Sequence, residues 1–331
     1  MTDILSKLSG SFDKAQAAGD LLFFSSTIVK YQESTSPIEY EIRLCPALQN
    51  KPALPTPHFK GTPEQTKFDP FLPPYNPNLW IGELSDADSG EQYVVLLNKY
   101  SVVPRHFLLV TKEFRSQASP LTPPDLVQTY LLLAAGRKAR QPLFAFYNCG
   151  DISGASQAHK HVQFLPLDDE DGPPVEYAAR NVKLETPDRP FTLPVPYANH
   201  VFRLPDRLWS SSPDQLEPIL ADAFLSLLDL AISTIRHDTE YPANKPSYNV
   251  VITLGHIYVV PRRQEAHMLA ETGDELSVNA LAFAGMLLVK SERELEAVKK
   301  EGVGNILRGV GLESVHDLQV LGTAAEARDE E

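Results

Sequence analysis

The sequence predicts an α+β fold in two lobes, and three observations carry that expectation: a length of 331 residues, short β-rich runs in both halves, and long helical patterns between them. At roughly 150 residues per domain, the length makes about two units. Hydrophobic residues are 43% and charged residues 22%, the composition of an ordinary globular chain with a sizeable core. We place an N-terminal lobe at residues 1–185 and a C-terminal lobe at 186–331.

The elements follow in order. Residues 52 to 77 hold eight prolines, which fix φ and remove amide donors, so neither a regular helix nor a central strand fits there. A loop of this length serves to bind, to cover a site, or simply to connect. Tyr93–Leu97 and Phe107–Thr111 are apolar, β-rich runs separated by a polar stretch, as in two neighbouring strands. Thr122 before Pro123 and Pro124 has the form of a helix N-cap with proline at the first position. Leu143–Tyr147 and Val162–Leu165 read as two more strands. After an acidic, proline-scattered stretch, Pro213 opens an amphipathic helix with Leu216, Leu220, Phe224, Leu227 and Ile235 on one stripe. Asn249–Thr253 and Ile257–Val260 read as a hairpin turning at Gly255-His256. The charge-free run Val278–Val289 reads as a buried core helix, too short for the roughly 20 residues of a bilayer span. Glu292–Lys300 has the pattern of a solvated helix face, and from Glu326 an acidic, mobile tail is expected.

Thirty basic against 43 acidic residues give a net charge of −13, a field that repels nucleic acid and anionic membranes. An anionic ligand must therefore meet a local basic or amide-lined pocket. Cys45 and Cys149 make neither a disulfide framework nor a C-x-x-C knuckle. The N-terminus lacks the pattern of a secretory signal, so a cytoplasmic location is expected, with the nucleus also open.

The chemistry concentrates in Asn148–Gln163, NCGDISGASQAHKHVQ. On a strand, two-residue alternation puts His159, His161 and Gln163 on one face and sends Lys160 to the other. The small-residue turn Ser153-Gly154-Ala155-Ser156-Gln157 can bring amides and hydroxyls close to a phosphate. A neutral imidazole can attack phosphorus directly, and the phosphoramidate it forms stays reactive toward a second acceptor. The H-x-H pair could also supply two zinc ligands with Cys149 as a third, but no cysteine pair or second H-x-H completes such a site. Arg262 and Arg263 could offer forked donors to phosphate, and Lys51 a neutralising charge. His58, His106, His200, His237, His256, His267 and His316 show no partner pattern and read as structural or surface residues.

His159-Lys160-His161-Val162-Gln163, with Asn148 and the SGASQ turn, resembles the active-site motif of diadenosine tetraphosphate (Ap4A) phosphorylases, within the histidine-triad and hexose-1-phosphate uridylyltransferase superfamily. The stretches EIRLCPAL, Trp80–Leu84, HFLLVTKEF, SPLTPPDL, Ser247–Val250 and Val260–Arg262 are similar to that family too. The resemblance implies a mainly antiparallel sheet with flanking helices and phosphorolysis of Ap4A to ADP and ATP, with ADP sulfurylase activity at the side. It implies His161 as the nucleophile that becomes adenylylated, His159 as its orienting partner and Gln163 as a phosphate ligand. Asn148, Gly154, Ser156, Gln157, Ser153 and Lys51 would hold the polyphosphate. A divalent cation, magnesium first, would accompany the nucleotide, with no resident metal or organic cofactor and a site completed within a monomer. Expected partners are Ap4A and other dinucleoside polyphosphates, ATP, ADP and inorganic phosphate. A dinucleoside polyphosphate hydrolase and a non-catalytic nucleotide sensor are the alternatives.

Overall fold

A computed structural model describes residues 1–50, 69–168, 170–184, 186, 188–242 and 245–313. In chain order the elements are α1 (Thr2–Ala17), β1 (Leu22–Phe23), β2 (Thr27–Gln32), β3 (Glu39–Leu44), β4 (Trp80–Ser85), β5 (Gln92–Leu97), β6 (Tyr100–Ser101), β7 (Phe107–Thr111) and α2 (Pro123–Lys138). There follow β8 (Leu143–Cys149), β9 (His161–Pro166), α3 (Pro174–Arg180), β10 (His200–Arg203), α4 (Pro213–His237), β11 (Tyr248–Ile252) and β12 (His256–Pro261). The last are β13 (Ala266–Met268), β14 (Glu275–Ser277), α5 (Ala280–Phe283), β15 (Met286–Val289), α6 (Glu292–Glu301) and α7 (Val303–Val310). The fold is α+β, as expected.

One eight-stranded antiparallel sheet runs β10-β12-β11-β8-β9-β7-β5-β4. Strands from both sides of residue 185 share it, joined where β8 pairs with β11. Its alternation decides what each face buries. Leu143, Ala145, Tyr147, Val162 and Phe164 face α1, α2 and α4 in a continuous core. The opposite face carries two apolar patches. Phe144, Phe146, Val251 and Tyr258 pack beneath α3, α5, β3 and β15, while Val94, Leu96, Leu108 and Val110 pack beneath Phe71. Gln163 pairs with Leu108 on one side and Phe146 on the other, so a polar strip of Asn148, His161 and Gln163 lies along the seam between the patches.

Local chemistry sets the helices that back this strip. The Thr122 amide donates to the Asp125 carboxylate at 2.8 Å in a capping box, with Pro123 opening α2. In α4, Leu216, Leu220, Phe224 and Leu227 are buried against the sheet and α2, each worth about 2 kcal/mol of burial. By length and composition α4 could also cross a bilayer, but its apolar stripe is spent on this core.

Two expectations are corrected. Val278–Val289 is not one helix: α5 is a single turn whose Leu281 amide is capped by Asn279, and after Gly285 the chain becomes β15, parallel to β3. Gly285 forces the break, with φ of +96° and Pro174 packed where a Cβ would stand. His256 belongs to strand β12 and not to the hairpin turn. Residues 51–68 of the proline-rich stretch, Lys51 among them, and the tail from Glu326 lie outside the described residues.

Candidate active site

His161 opens β9 and is 2% exposed. Its Nδ1 lies 2.8 Å from the His159 carbonyl, an acceptor only, so Nδ1 carries the proton and Nε2 the lone pair. Among the described residues nothing hydrogen-bonds that Nε2. Burial pushes the imidazole down to about 4, outweighing the His159 carbonyl, so the ring is neutral near pH 7. Phe71 covers it at 5.1 Å between ring centroids.

His159 lies just before β9, and its ring, also in contact with Phe71, is held by other partners. Its Nδ1 is 2.9 Å from the Asp69 carboxylate and its Nε2 is 2.7 Å from the Thr111 carbonyl. Burial would raise the Asp69 carboxyl, but hydrogen bonds from His159 and the Phe71 amide prevail and hold it below the usual range. His159 thus orients His161 through its main chain, while its side chain ties down the described end of the proline-rich stretch.

Gln163 is oriented by a relay. Asn98 Nδ2, fixed as a donor by the Tyr100 carbonyl, meets His106 Nδ1 at 2.9 Å, and His106 Nε2 then donates to Gln163 Oε1 at 3.1 Å. Burial pushes His106 down to about 3, so it stays in the neutral form this relay needs. The Gln163 amide nitrogen is left as a donor toward the strip.

Beyond Phe146 and Gln163 the β8–β9 ladder stops, and the fully buried Gln117 replaces it. Its Oε1 accepts from the His161 amide at 2.8 Å while its Nε2 donates to the Asn148 carbonyl at 2.7 Å. Asn148 Oδ1 accepts from Asn249 Nδ2 and from the Ala280 amide, at 2.8 and 2.9 Å. That fixes the amide and leaves Asn148 Nδ2 buried without a partner. An orphaned buried donor costs roughly 1–3 kcal/mol unless something accepts from it.

The phosphate turn is anchored from the C-terminal half. The Ser153 carbonyl accepts from Asn249 Nδ2 at 2.9 Å and from Arg262 at 3.2 Å. Gly154 has φ of +80°, and a Cβ there would stand 2.6 Å from the Val278 carbonyl, so only glycine fits. Ser156 is exposed and Gln157 half-buried, and among the described residues nothing engages either side chain.

Arg262 corrects the sequence reading. It does not offer donors to phosphate: it is fully buried and spends its guanidinium on Asn249 Oδ1 and the carbonyls of Ser153, Gln264, Glu265, Val278 and Val310. The Ser153 hydroxyl is likewise taken by the Gly150 carbonyl, at 2.7 Å, and closes the turn. Cys149 faces the helix side, with its Sγ toward the Ser119 carbonyl, so it cannot join the two histidines around a zinc ion. His106, Gln117, Asn249 and Asp69 escaped sequence reading, because each acts by pairing with residues far along the chain. Among these, His106 stands two residues past Pro104 and immediately before strand β7, which is the one signal sequence offered.

Residues 2–180 match the Ap4A phosphorylase N-terminal domain family, and residues 193–313 the ATP adenylyltransferase C-terminal domain family. The chain is 31% identical over 312 residues to diadenosine 5',5'''-P1,P4-tetraphosphate phosphorylase 2 of Saccharomyces cerevisiae, covering 89% of this chain and 90% of that one. It is 31% identical over 327 residues to Protein APA1 of the same organism, covering 93% and 94%. The crystal structure of yeast Ap4A phosphorylase Apa2 in complex with AMP superposes with a TM-score of 0.76 at 30% identity, over 94% of this chain and 97% of that one. The same enzyme in complex with Ap4A gives 0.74 at 28% identity, over 94% and 97%. With both domain families matched in order along a shared fold, the chain belongs to the Ap4A phosphorylase family of nucleotidyltransferases.

Proposed function

We propose that this chain cleaves Ap4A with inorganic phosphate, giving ADP and ATP, through an adenylyl-His161 intermediate. The observation that carries the reading is the state of His161: buried, neutral, with Nδ1 held by the His159 carbonyl and the Nε2 lone pair uncommitted among the described residues. That is a nucleophile prepared without a separate base. Nε2 attacks the α-phosphorus, the bond to the bridging oxygen breaks, and ATP leaves with the electron pair. A phosphate oxygen then attacks the same phosphorus, the N–P bond breaks, and ADP leaves with His161 neutral again. Asn148 Nδ2, the Gln163 amide, Ser156, Gln157 and the Gly154 turn are the donors for the phosphate oxygens, with catalysis resting on their prior placement. Lys51 keeps its proposed role as a neutralising charge.

The substrates are Ap4A and other dinucleoside polyphosphates with inorganic phosphate, and ATP with ADP in reverse. The same adduct would form from adenosine phosphosulfate with sulfate leaving, so ADP sulfurylase activity belongs to this reading. A divalent cation, magnesium first, enters with the polyphosphate and balances its charge. Asn148 and Asn249, from opposite halves of one chain, build the turn together, which supports a site completed within a monomer.

Intact-mass spectrometry after acid-free quenching with Ap4A, in the absence of phosphate, tests the proposal. One adenylyl group should appear on the wild type, discharge as ADP when phosphate is added, and be absent from His161→Asn. Phosphate-independent consumption of Ap4A would establish a hydrolase instead, and binding with Ap4A left intact a sensor.

A further inference from the structure

At the end of β8 and β9 remote from Asn148 and His161, two turns carry arginine where backbone geometry favours glycine. Arg105 follows Pro104 with φ of +61°, in a turn whose His106 amide approaches the Val103 carbonyl at 3.4 Å, the third position of a type II-like turn. Arg140, just past the C-cap Ala139 of α2, has φ of +54°, and the following Gln141 amide donates to the Gly136 carbonyl at 2.9 Å. This is the left-handed position that ends helices, again glycine's. The two turns are 35 residues apart in sequence, yet their side chains line one cavity of about 240 Å³ with Leu8, Pro142, Leu167 and Asp168.

Nothing local accounts for either arginine. The last carbonyls of α2 are already met by the amides of Ala139, Arg140 and Gln141, so the Arg140 guanidinium is not needed as a cap. Among the described residues neither arginine makes an ion pair or a side-chain hydrogen bond, and the Asp168 carboxylate in the same lining pairs with neither. Two left-handed backbones that bring a half-buried Arg105 and an exposed Arg140, neither paired among the described residues, to the lining of one cavity are the kind of conformation that persists where a site uses it.

We propose that this cavity is a second anion site, taking a phosphate group on Arg105 and Arg140, either as inorganic phosphate or as the 5'-phosphate of a nucleoside monophosphate. In a chain of net charge −13 no diffuse field would draw such an anion, so the paired arginines are what select it. Asp168 is the acidic member of the lining. Arg105 adjoins His106, the ring that orients Gln163, so occupancy bears on the turn that carries the relay. That last consequence rests on the function proposed above; binding at the cavity does not.

The test is thermal unfolding and calorimetric titration of the full chain at constant ionic strength, with chloride replaced by phosphate or by AMP. Wild type is compared with Arg105→Gly/Arg140→Gly, a double variant suited to both backbones, and with Arg105→Asn/Arg140→Asn as a second neutral pair tolerant of positive φ. In chloride alone the glycine variant should melt at or above the wild-type temperature, because strain is relieved. The wild type should titrate one more phosphate than either variant, whose affinity at this cavity should be at least tenfold weaker. A wild-type-minus-variant difference seen with phosphate alone assigns free phosphate, and a larger one with AMP assigns the nucleotide. Identical titrations and phosphate responses in wild type and variants would overturn the site. If no adenylyl-His161 forms but the difference persists, the anion site stands while the proposed function falls.

Discussion

Lys160 Nζ and Asp125 Oδ2 meet at 2.9 Å on the side of the sheet away from the nucleophile, both side chains about 95% buried. Asp125 also accepts from Tyr93 and from the Thr122 amide, each at 2.8 Å, and Lys160 donates to the Pro120 carbonyl at 2.8 Å. The cation that sits between two site histidines in sequence is therefore a clamp on the start of α2, not a phosphate ligand.

Removing one partner of a buried pair leaves the other charge uncompensated. Lys160→Met should cost about 3–5 kcal/mol of stability, read as a lower urea midpoint with unchanged slope. Adenylyl transfer per folded molecule should stay within about threefold of wild type. Loss of transfer without loss of stability would put Lys160 in the site after all.

The relay from Asn98 through His106 gives a second expectation. His106→Ala frees the Gln163 amide to rotate, so kcat should fall by about 10–100-fold, the scale of lost positioning, with little change in KM for Ap4A. His106→Gln can still donate to Gln163 and should recover most of that loss. Equal damage from both variants, accompanied by a drop in melting temperature, would reduce His106 to a packing residue.

What sequence made legible follows from local physics. The capped start of α2, the stripe of α4 and the opposite facing of Lys160 and His161 each depend on neighbours within a few residues, and each is present. Val278–Val289 misled because an apolar run has no period of its own, and only Pro174, over a hundred residues earlier in the chain, shows why Gly285 must break it. Arg262 looked like a surface residue beside Arg263, because its partners at Ser153, Asn249 and Val278 come together only in the fold.

That environment makes Arg262 unusually intolerant. Lysine offers three donors from a point charge where six acceptors converge on a planar fork. Arg262→Lys should cost about 2–4 kcal/mol, from two or more orphaned carbonyls. It should also loosen the Ser153 turn, visible as faster amide hydrogen exchange across residues 150–158. Unchanged exchange there would show that Asn249 alone holds the turn.

Acid should act on stability before it acts on chemistry. His161 is lowered to about 4 and His106 to about 3, both by burial, whereas in the unfolded chain each titrates near 6.5. Between pH 6.5 and 4 the unfolded state holds more protons, so stability is full above 6.5 and falls as pH drops through that window. His161 alone contributes on the order of 3 kcal/mol to the fall, and His161→Asn should flatten the stability profile by about that amount. The adenylylation half-reaction, which needs no phosphate, should keep a constant rate from pH 8 to about 5.5, because the nucleophile stays neutral throughout. A rate that halves near pH 6.5 would mean His161 titrates like an exposed histidine, and the buried, carbonyl-held nucleophile would be the wrong description of the site.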